Sequence, residues 1–423
     1  MKKTLVALAA LAATGAYAQV TISGYFGGSY DNVTITNPAA SRTGNKTENR
    51  ISDHSSRVVF NATEDLGGGL SAIGQFDLRF KLDATARIQA ETASAFTPTA
   101  TGAVVVPAVN ANTATVLGTG PLTNPTVDPV SSGANWVGLA SKTMGTVRMG
   151  RGDFYYIDSP SFMPAGMHTS ANMSPVYHSK ATANTSRTPN AAWWVSPRIN
   201  GFEGTVMYST QPLRVSGTNE VESDLGTGTA NRKGSGSMVR LNYTSGPVDA
   251  TIATISLKSD YIGVGTALGA GAGGAAINAN ADQTGNNMVL KYDVGGGLKL
   301  AVGTTYGKQT TVSSGAINEA RATGFGVSYD MGKINYALSV ARKGNDATAT
   351  GDTANTGTSL TALAVTYNFS RRTAISALYN SLKADAGTSV TPFYQVNNVF
   401  GGQNTMAAGE GTTTLSLGLV HRF

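Results

Sequence analysis

The chain has 423 residues with 31 Lys and Arg against 25 Asp and Glu, a formal net charge of +6, and no cysteine. So mild a surplus, with no Lys/Arg tract, excludes a nucleic-acid surface, and the missing thiols exclude disulfides and thiolate metal sites. Beyond the first 18 residues no stretch approaches the roughly 20 consecutive apolar residues of a spanning helix. Residence in a bilayer would therefore require a closed sheet, in which every backbone N–H and C=O finds a partner.

Read from the beginning, Lys2 and Lys3 precede an apolar stretch, LVALAALAA, and Ala16-Tyr17-Ala18 supplies a small-x-small cleavage site. Residues 1–18 are expected to be an export signal, with the mature chain starting at Gln19 and forming one unit over 19–423. Removing the two lysines leaves 29 Lys and Arg against 25 acids, a net +4. The first strand is expected over Val20 to Tyr30, with Val20, Ile22 and Phe26 in phase, followed by a polar loop. Ser56 to Glu64 and Leu70 to Leu82 follow, joined through Asp65 to Gly69. In the second of these, Leu70, Ala72, Phe76 and Leu78 share one face, while Ser71, Gln75, Asp77, Arg79 and Lys81 share the other.

Residues 83 to 132, rich in Ala, Thr and Val, are too long for an ordinary connection and read as an enlarged external loop. Asn135 to Ser141 and Thr146 to Arg151 form the next hairpin, and a second long segment runs from Gly152 to Pro189. Five further hairpins are expected: Ala191 to Ser196 with Glu203 to Ser209, Ser237 to Thr244 with Asp249 to Lys258, Asn287 to Val294 with Lys299 to Gly307, Thr323 to Asp330 with Ile334 to Arg342, and Ser359 to Phe369 with Thr373 to Leu382. The closing strand Thr412 to Phe423 puts Leu415, Leu417, Leu419, His421 and Phe423 on one face. Tight turns alternating with long loops are the pattern of an outer-membrane barrel. Its expected 16 antiparallel strands would leave a channel, whereas a barrel of about eight fills with its own side chains.

The stretches Ser56-Arg57-Val58-Val59-Phe60, Thr63-Glu64-Asp65-Leu66-Gly67-Gly68-Gly69-Leu70, Trp136-Val137-Gly138-Leu139, Gly145-Thr146-Val147-Arg148-Met149-Gly150-Arg151 and Gly418 to Phe423 resemble those of the trimeric general porins of Gram-negative outer membranes. The resemblance implies an all-β transmembrane barrel whose third external loop, here Gly152 to Pro189, folds into the lumen and faces a basic cluster on the wall. It also implies a homotrimer in outer-membrane lipid, recognition of Phe423 by the barrel-assembly machinery, and passage of small hydrophilic solutes and ions. Arg57 and Arg187 match family wall arginines, whereas Gly133 and Ala134 stand where another basic residue is common. Arg79, Lys81 and Arg148 are polar-face candidates to replace it. Arg151, Asp153 and Asp158 complete the expected constriction, and Arg148 and Arg151, three apart, are expected on opposite faces. With few acids against these cations, weak anion selectivity is expected.

Other chemistry finds little footing. His54, His168, His178 and His421 show no metal spacing. Gly269 to Gly274 lacks the strand-to-helix context of a phosphate loop, and no nucleophile elbow occurs. No cofactor and no catalysis are expected. Trp136, Trp193, Trp194 and the tyrosines read as aromatic girdles at the two membrane interfaces. The alternatives to general diffusion are a substrate-specific anion channel and a barrel whose external loops act as an adhesin. An outer-membrane hydrolase would need a Ser, His and carboxylate set that the sequence does not assemble.

Overall fold

The computed structural model describes residues 19–40, 42, 46–79, 82, 133–154, 158–164, 174–177, 185–210, 234–259, 281–311, 314–388 and 406–423. The expected signal 1–18, Lys81, the loop 83–132 and the segment Gly269 to Gly274 lie outside the described residues. In chain order the elements are β1 (Gln19–Thr36), β2 (Thr47–Asp53), β3 (Arg57–Gly67), β4 (Leu70–Arg79), β5 (Asn135–Ser141), β6 (Gly145–Phe154), a single helical turn α1 (Ser174–Tyr177), β7 (Thr185–Val195), β8 (Phe202–Ser209), β9 (Gly234–Ser245) and β10 (Val248–Ser259). They continue with β11 (Ala281–Gly295), β12 (Leu298–Thr311), β13 (Ile317–Met331), β14 (Ile334–Lys343), β15 (Asp346–Thr348), β16 (Gly351–Thr353), β17 (Thr358–Asn368), β18 (Thr373–Ala384) and β19 (Gly411–Arg422).

All nineteen strands belong to one antiparallel sheet. β1 pairs with β3 along one edge and β19 along the other, so the sheet closes on itself and leaves no edge. The barrel has 16 staves. β2 and β3 pair with successive stretches of β1 and make one stave, while the short β15 and β16 form a hairpin beyond the end of β14. At the seam, Phe423 and Gly24 exchange backbone hydrogen bonds at 3.2 Å in both directions, and Phe423 packs on Phe26 with ring centroids 5.2 Å apart.

Alternation places side chains as a bilayer requires. Leu415, Leu417 and Leu419 are more than half exposed, whereas Thr412, Thr414 and Ser416 between them are buried. Such a girdle of exposed Leu, Val, Tyr and Phe would aggregate in water. In hydrocarbon it is the solvated face.

Four expectations need correction. β1 runs on to Thr36, and the polar segment after it contains β2, because the long β1 needs a partner; Asn32 donates to Asn49 at 2.7 Å across that pair. β6 reaches Phe154 and β7 begins at Thr185, so the inward loop is 155–184 and shorter than Gly152 to Pro189. The inner face is also less uniformly wet than expected. Ile255, Leu257, Leu360 and Leu382 point inward and are almost fully buried, in one apolar cluster with Val176 and Tyr177 of α1. Trp136 and Trp193 are not girdle residues but face the lumen, because Val137 and Leu139 take the lipid side of β5 and Trp194 that of β7.

Candidate functional site in the barrel lumen

A one-residue irregularity aims Arg57. Between the pairs Gly28↔Asp53 and Tyr25↔Arg57, β1 spends two residues where the opposite stave spends three, His54, Ser55 and Ser56. This is a β-bulge, and one extra residue inverts the facing of everything beyond it. Ile51 is outward and 58% exposed, so unbroken alternation would turn Arg57 outward too; the bulge turns it into the lumen. Ser55 sits at φ 63°, and the Asp53 carboxylate accepts from the Ser55 and Ser56 amides at 2.7 and 3.2 Å. Arg57 then donates to the Ser55 carbonyl at 3.2 Å and to the Tyr25 hydroxyl at 2.8 Å, its guanidinium lying 4.9 Å from that ring's centre. Tyr25 in turn donates to the His54 carbonyl at 2.9 Å.

On β4, Arg79 donates from Nε and a terminal nitrogen to Asp77 at 3.0 and 2.8 Å, with the carboxylate side chain 4% exposed. Gly133 lies against this aspartate: a Cβ there would come within 2.1 Å of the Asp77 carboxyl carbon. The departure at Gly133 thus has a steric reason. Arg148 points inward from β6 and lies 4.3 Å over the Trp136 ring, which meets Trp193 edge-on at 6.2 Å.

The inward loop packs across from these cations, on the arc β9 to β14. The Asp158 carboxylate pairs with Arg240 of β9. Its backbone exchanges hydrogen bonds with the Asn287 side chain of β11 at 3.2 and 3.3 Å. Asn287 also donates to the Tyr177 hydroxyl at 3.2 Å, and burial pushes that phenol well above its ordinary pKa, so it stays neutral. Ser161 and Ser339 hydroxyls meet at 3.3 Å, and a Cβ on Gly326 would stand 2.0 Å from the Pro160 carbonyl oxygen. Only a residue without a side chain admits the loop there.

Of the expected site residues, Arg57, Arg79 and Arg148 line one arc and Asp158 reaches the lumen from the loop. Arg151 pairs in register with Asn135 where the β6 ladder is irregular, and Asp153 is exposed near the end of β6. Arg187 lies within β7, its side chain outside the described residues, as Lys81 is altogether. Sequence reasoning passed over Arg240, Asn287, Tyr177 and the role of Asp77. Arg240 was findable, for Val239 and Leu241 on either side are outward and 51% and 44% exposed.

A closed barrel with charged side chains along its inner wall and a loop folded across it is a passive membrane channel. The family model for Gram-negative porins matches residues 4–387, and the chain belongs to that family. Its place is accordingly the outer membrane. Among solved structures, an anion-selective porin from Comamonas acidovorans is 18% identical with a TM-score of 0.60, the match covering 96% of this chain and 100% of that one. The trimer form of OmpT, an outer membrane protein of Vibrio cholerae, is 12% identical with a TM-score of 0.55, over 96% and 99% of the chains. The outer membrane channel DcaP of Acinetobacter baumannii is 11% identical with a TM-score of 0.55, over 96% and 97%. At these identities the likeness is one of fold. No curated protein matches the chain.

Proposed function

We propose that this porin is a general diffusion channel for small hydrophilic solutes with weak anion selectivity, and that it performs no catalysis. One observation carries the selectivity. Arg57 and Arg148 point into the lumen and are held by a tyrosine, a carbonyl and a tryptophan, with no ion-pair partner among the described residues. The charges of Arg79 and Arg240, by contrast, are matched by Asp77 and Asp158. Two cations with no carboxylate in contact, set between low-dielectric walls, raise the local concentration of anions. The Comamonas relative, described as anion-selective, supports the same reading.

The channel works as a homotrimer, a reading supported by the trimer form of the Vibrio protein. Residues 1–18 are its export signal, and Phe423 at the seam is the handle for the barrel-assembly machinery. Arg187 and Lys81 are further lining cations. Reversal potentials across a planar bilayer in a tenfold KCl gradient test the reading. The wild type should favour chloride and Arg57→Ala/Arg148→Ala should lose that preference; potassium selectivity in the wild type would refute it.

A further inference from the structure

The two tryptophans that alternation turns into the lumen frame a corner that the passage of small ions does not need. Two inner-face rows cross β5, β6 and β7 there: Trp136, Gly150 and Ala191 in one, and Gly138, Arg148 and Trp193 in the next. Arg148 reaches diagonally over the Trp136 ring, 4.3 Å from its centre, and the two indoles meet edge-on at 6.2 Å. Gly138 and Gly150 carry no side chain, so neither inner-face neighbour on these two strands walls in the guanidinium and the indole beneath it. Trp136 also packs against the apolar cluster that contains Trp193 and Met207.

Arg148 differs from the other lumen arginines in what its donors do. Arg57 gives Nε to the Ser55 carbonyl and a terminal nitrogen to Tyr25, and Arg79 gives two nitrogens to Asp77. Arg240 gives Nε to Asn242 at 3.0 Å and a terminal nitrogen to Asp158. Arg148 has no hydrogen-bond partner among the described residues, and its Nε is enclosed. A buried donor without an acceptor is unfavourable, and a guanidinium with one face on an indole is partly stripped of water while its charge is kept. The group therefore calls for an anion, and the indoles decide which kind.

We propose that Arg148, Trp136 and Trp193 form a binding subsite for aromatic carboxylates in transit. The site rests on the anion-selective lumen proposed for this channel and names the solute class that such a lumen holds longest. The carboxylate accepts from the guanidinium edge, and the ring lies against the aromatic surface that the indoles and the guanidinium share. Chloride answers the charge alone. An aliphatic acid of the same size adds buried area, and an aromatic one adds ring contact beyond that area, enough for roughly fivefold in affinity.

Block of the chloride current through the full-length channel in a planar bilayer tests the subsite, with benzoate and cyclohexanecarboxylate compared at neutral pH, where both are anions. In the wild type benzoate should halve the current at a concentration roughly fivefold below that of cyclohexanecarboxylate. Trp136→Leu should bring the two acids to the same concentration, Trp136→Phe should keep part of the difference, and Arg148→Gln should abolish saturable block by both. Without any variant, 4-nitrobenzoate should quench the indole emission of the wild type saturably, with the same half-point as its block. Equal block by the two acids in a chloride-selective wild type would overturn the subsite alone, whereas potassium selectivity would overturn the general reading and the subsite with it. An undiminished benzoate preference in Trp136→Leu, or quenching that rises without saturating, would also overturn the subsite.

Discussion

The two sides of the lumen handle charge differently. On the arc β3 to β6 Arg57 is pinned by Tyr25 and the Ser55 carbonyl and Arg148 by Trp136, so these two keep both their position and their field, while Arg79 between them is paired with Asp77. On the arc β9 to β14 the lumen-facing Arg240 is paired with the Asp158 carboxylate of the inward loop, and its charge goes into fastening that loop. Aromatic and carbonyl partners orient a guanidinium without cancelling it, whereas a carboxylate does both. One wall therefore presents free positive charge to passing ions, and the other holds the loop that lies inside the barrel.

The sharpest way to break this division is to delete Ser55. Removing the extra residue restores uninterrupted alternation, so either Arg57 and Asn61 turn into lipid while Val58 and Phe60 turn inward, or the stave slips. An arginine moved to the lipid face costs about 2–4 kcal/mol near the bilayer midplane, and with the rest of β3 inverted the variant should fail to fold. Loss of the heat-modifiable band in cold gel electrophoresis would show it. Next in size is Gly326→Val, which drives its side chain into the Pro160 carbonyl and should lift the loop off its wall. If that loop sets the aperture, single-channel conductance should change by roughly twofold with the barrel intact; an unchanged conductance would mean the loop does not control it.

Much of this was open to a reader of the sequence, and the exceptions have physical causes. β4 and β19 announce themselves because a strand with one face in lipid and one in water must alternate, and the rule Leu415, Leu417, Leu419 against Thr414, Ser416 holds in the structure. The same rule applied to Trp136 beside Val137, or Arg240 beside Leu241, gives their inward facing at once; the tryptophans were misplaced because their residue type was weighed above their phase. The bulge at Ser55 leaves no trace in either flanking pattern, since each half-stave alternates correctly by itself. Contacts such as Asp158 with Arg240, or Tyr177 with Asn287, join residues far apart in the chain and depend on how a loop lies in three dimensions. No local periodicity encodes them.

A smaller effect sharpens the comparison of the two arcs directly. Asp158→Asn should remove one carboxylate from the lumen and raise the anion preference, while Arg57→Ala should lower it. A unit charge about 4 Å from an ion in water is worth about 1 kcal/mol, or roughly fivefold in relative permeability. Reversal potentials of the two variants should therefore move in opposite directions from wild type. Movement in the same direction would mean that charge on the two arcs does not act as separated here.

The smallest expected effect lies outside the pore, at a latch between the first and last external connections, and it tells fastening by charge from conduction by charge. Glu410 accepts from the Ala39 amide at 2.8 Å, the Ala407 amide at 2.7 Å and Arg42 Nε at 2.7 Å, while Asn37 donates to the Gly409 carbonyl at 2.8 Å. The Arg42 hydrogen bond, ahead of the two amides, pulls the Glu410 carboxyl down to about 2 from an ordinary 4.5. A carboxylate depressed on folding contributes stability that is fully present above the unfolded value and is lost as pH falls through the folded one. The latch should then hold undiminished above about pH 4.5, weaken below it, and be gone once pH has dropped through about 2. Hydrogen exchange at the Ala39 and Ala407 amides should lose protection across that window in the wild type, with conductance unaffected above it. In Glu410→Gln protection should be low at every pH, because the amide keeps the shape but gives up the charge; a wild-type profile without the acid step would mean that ionisation of Glu410 is not what closes the latch.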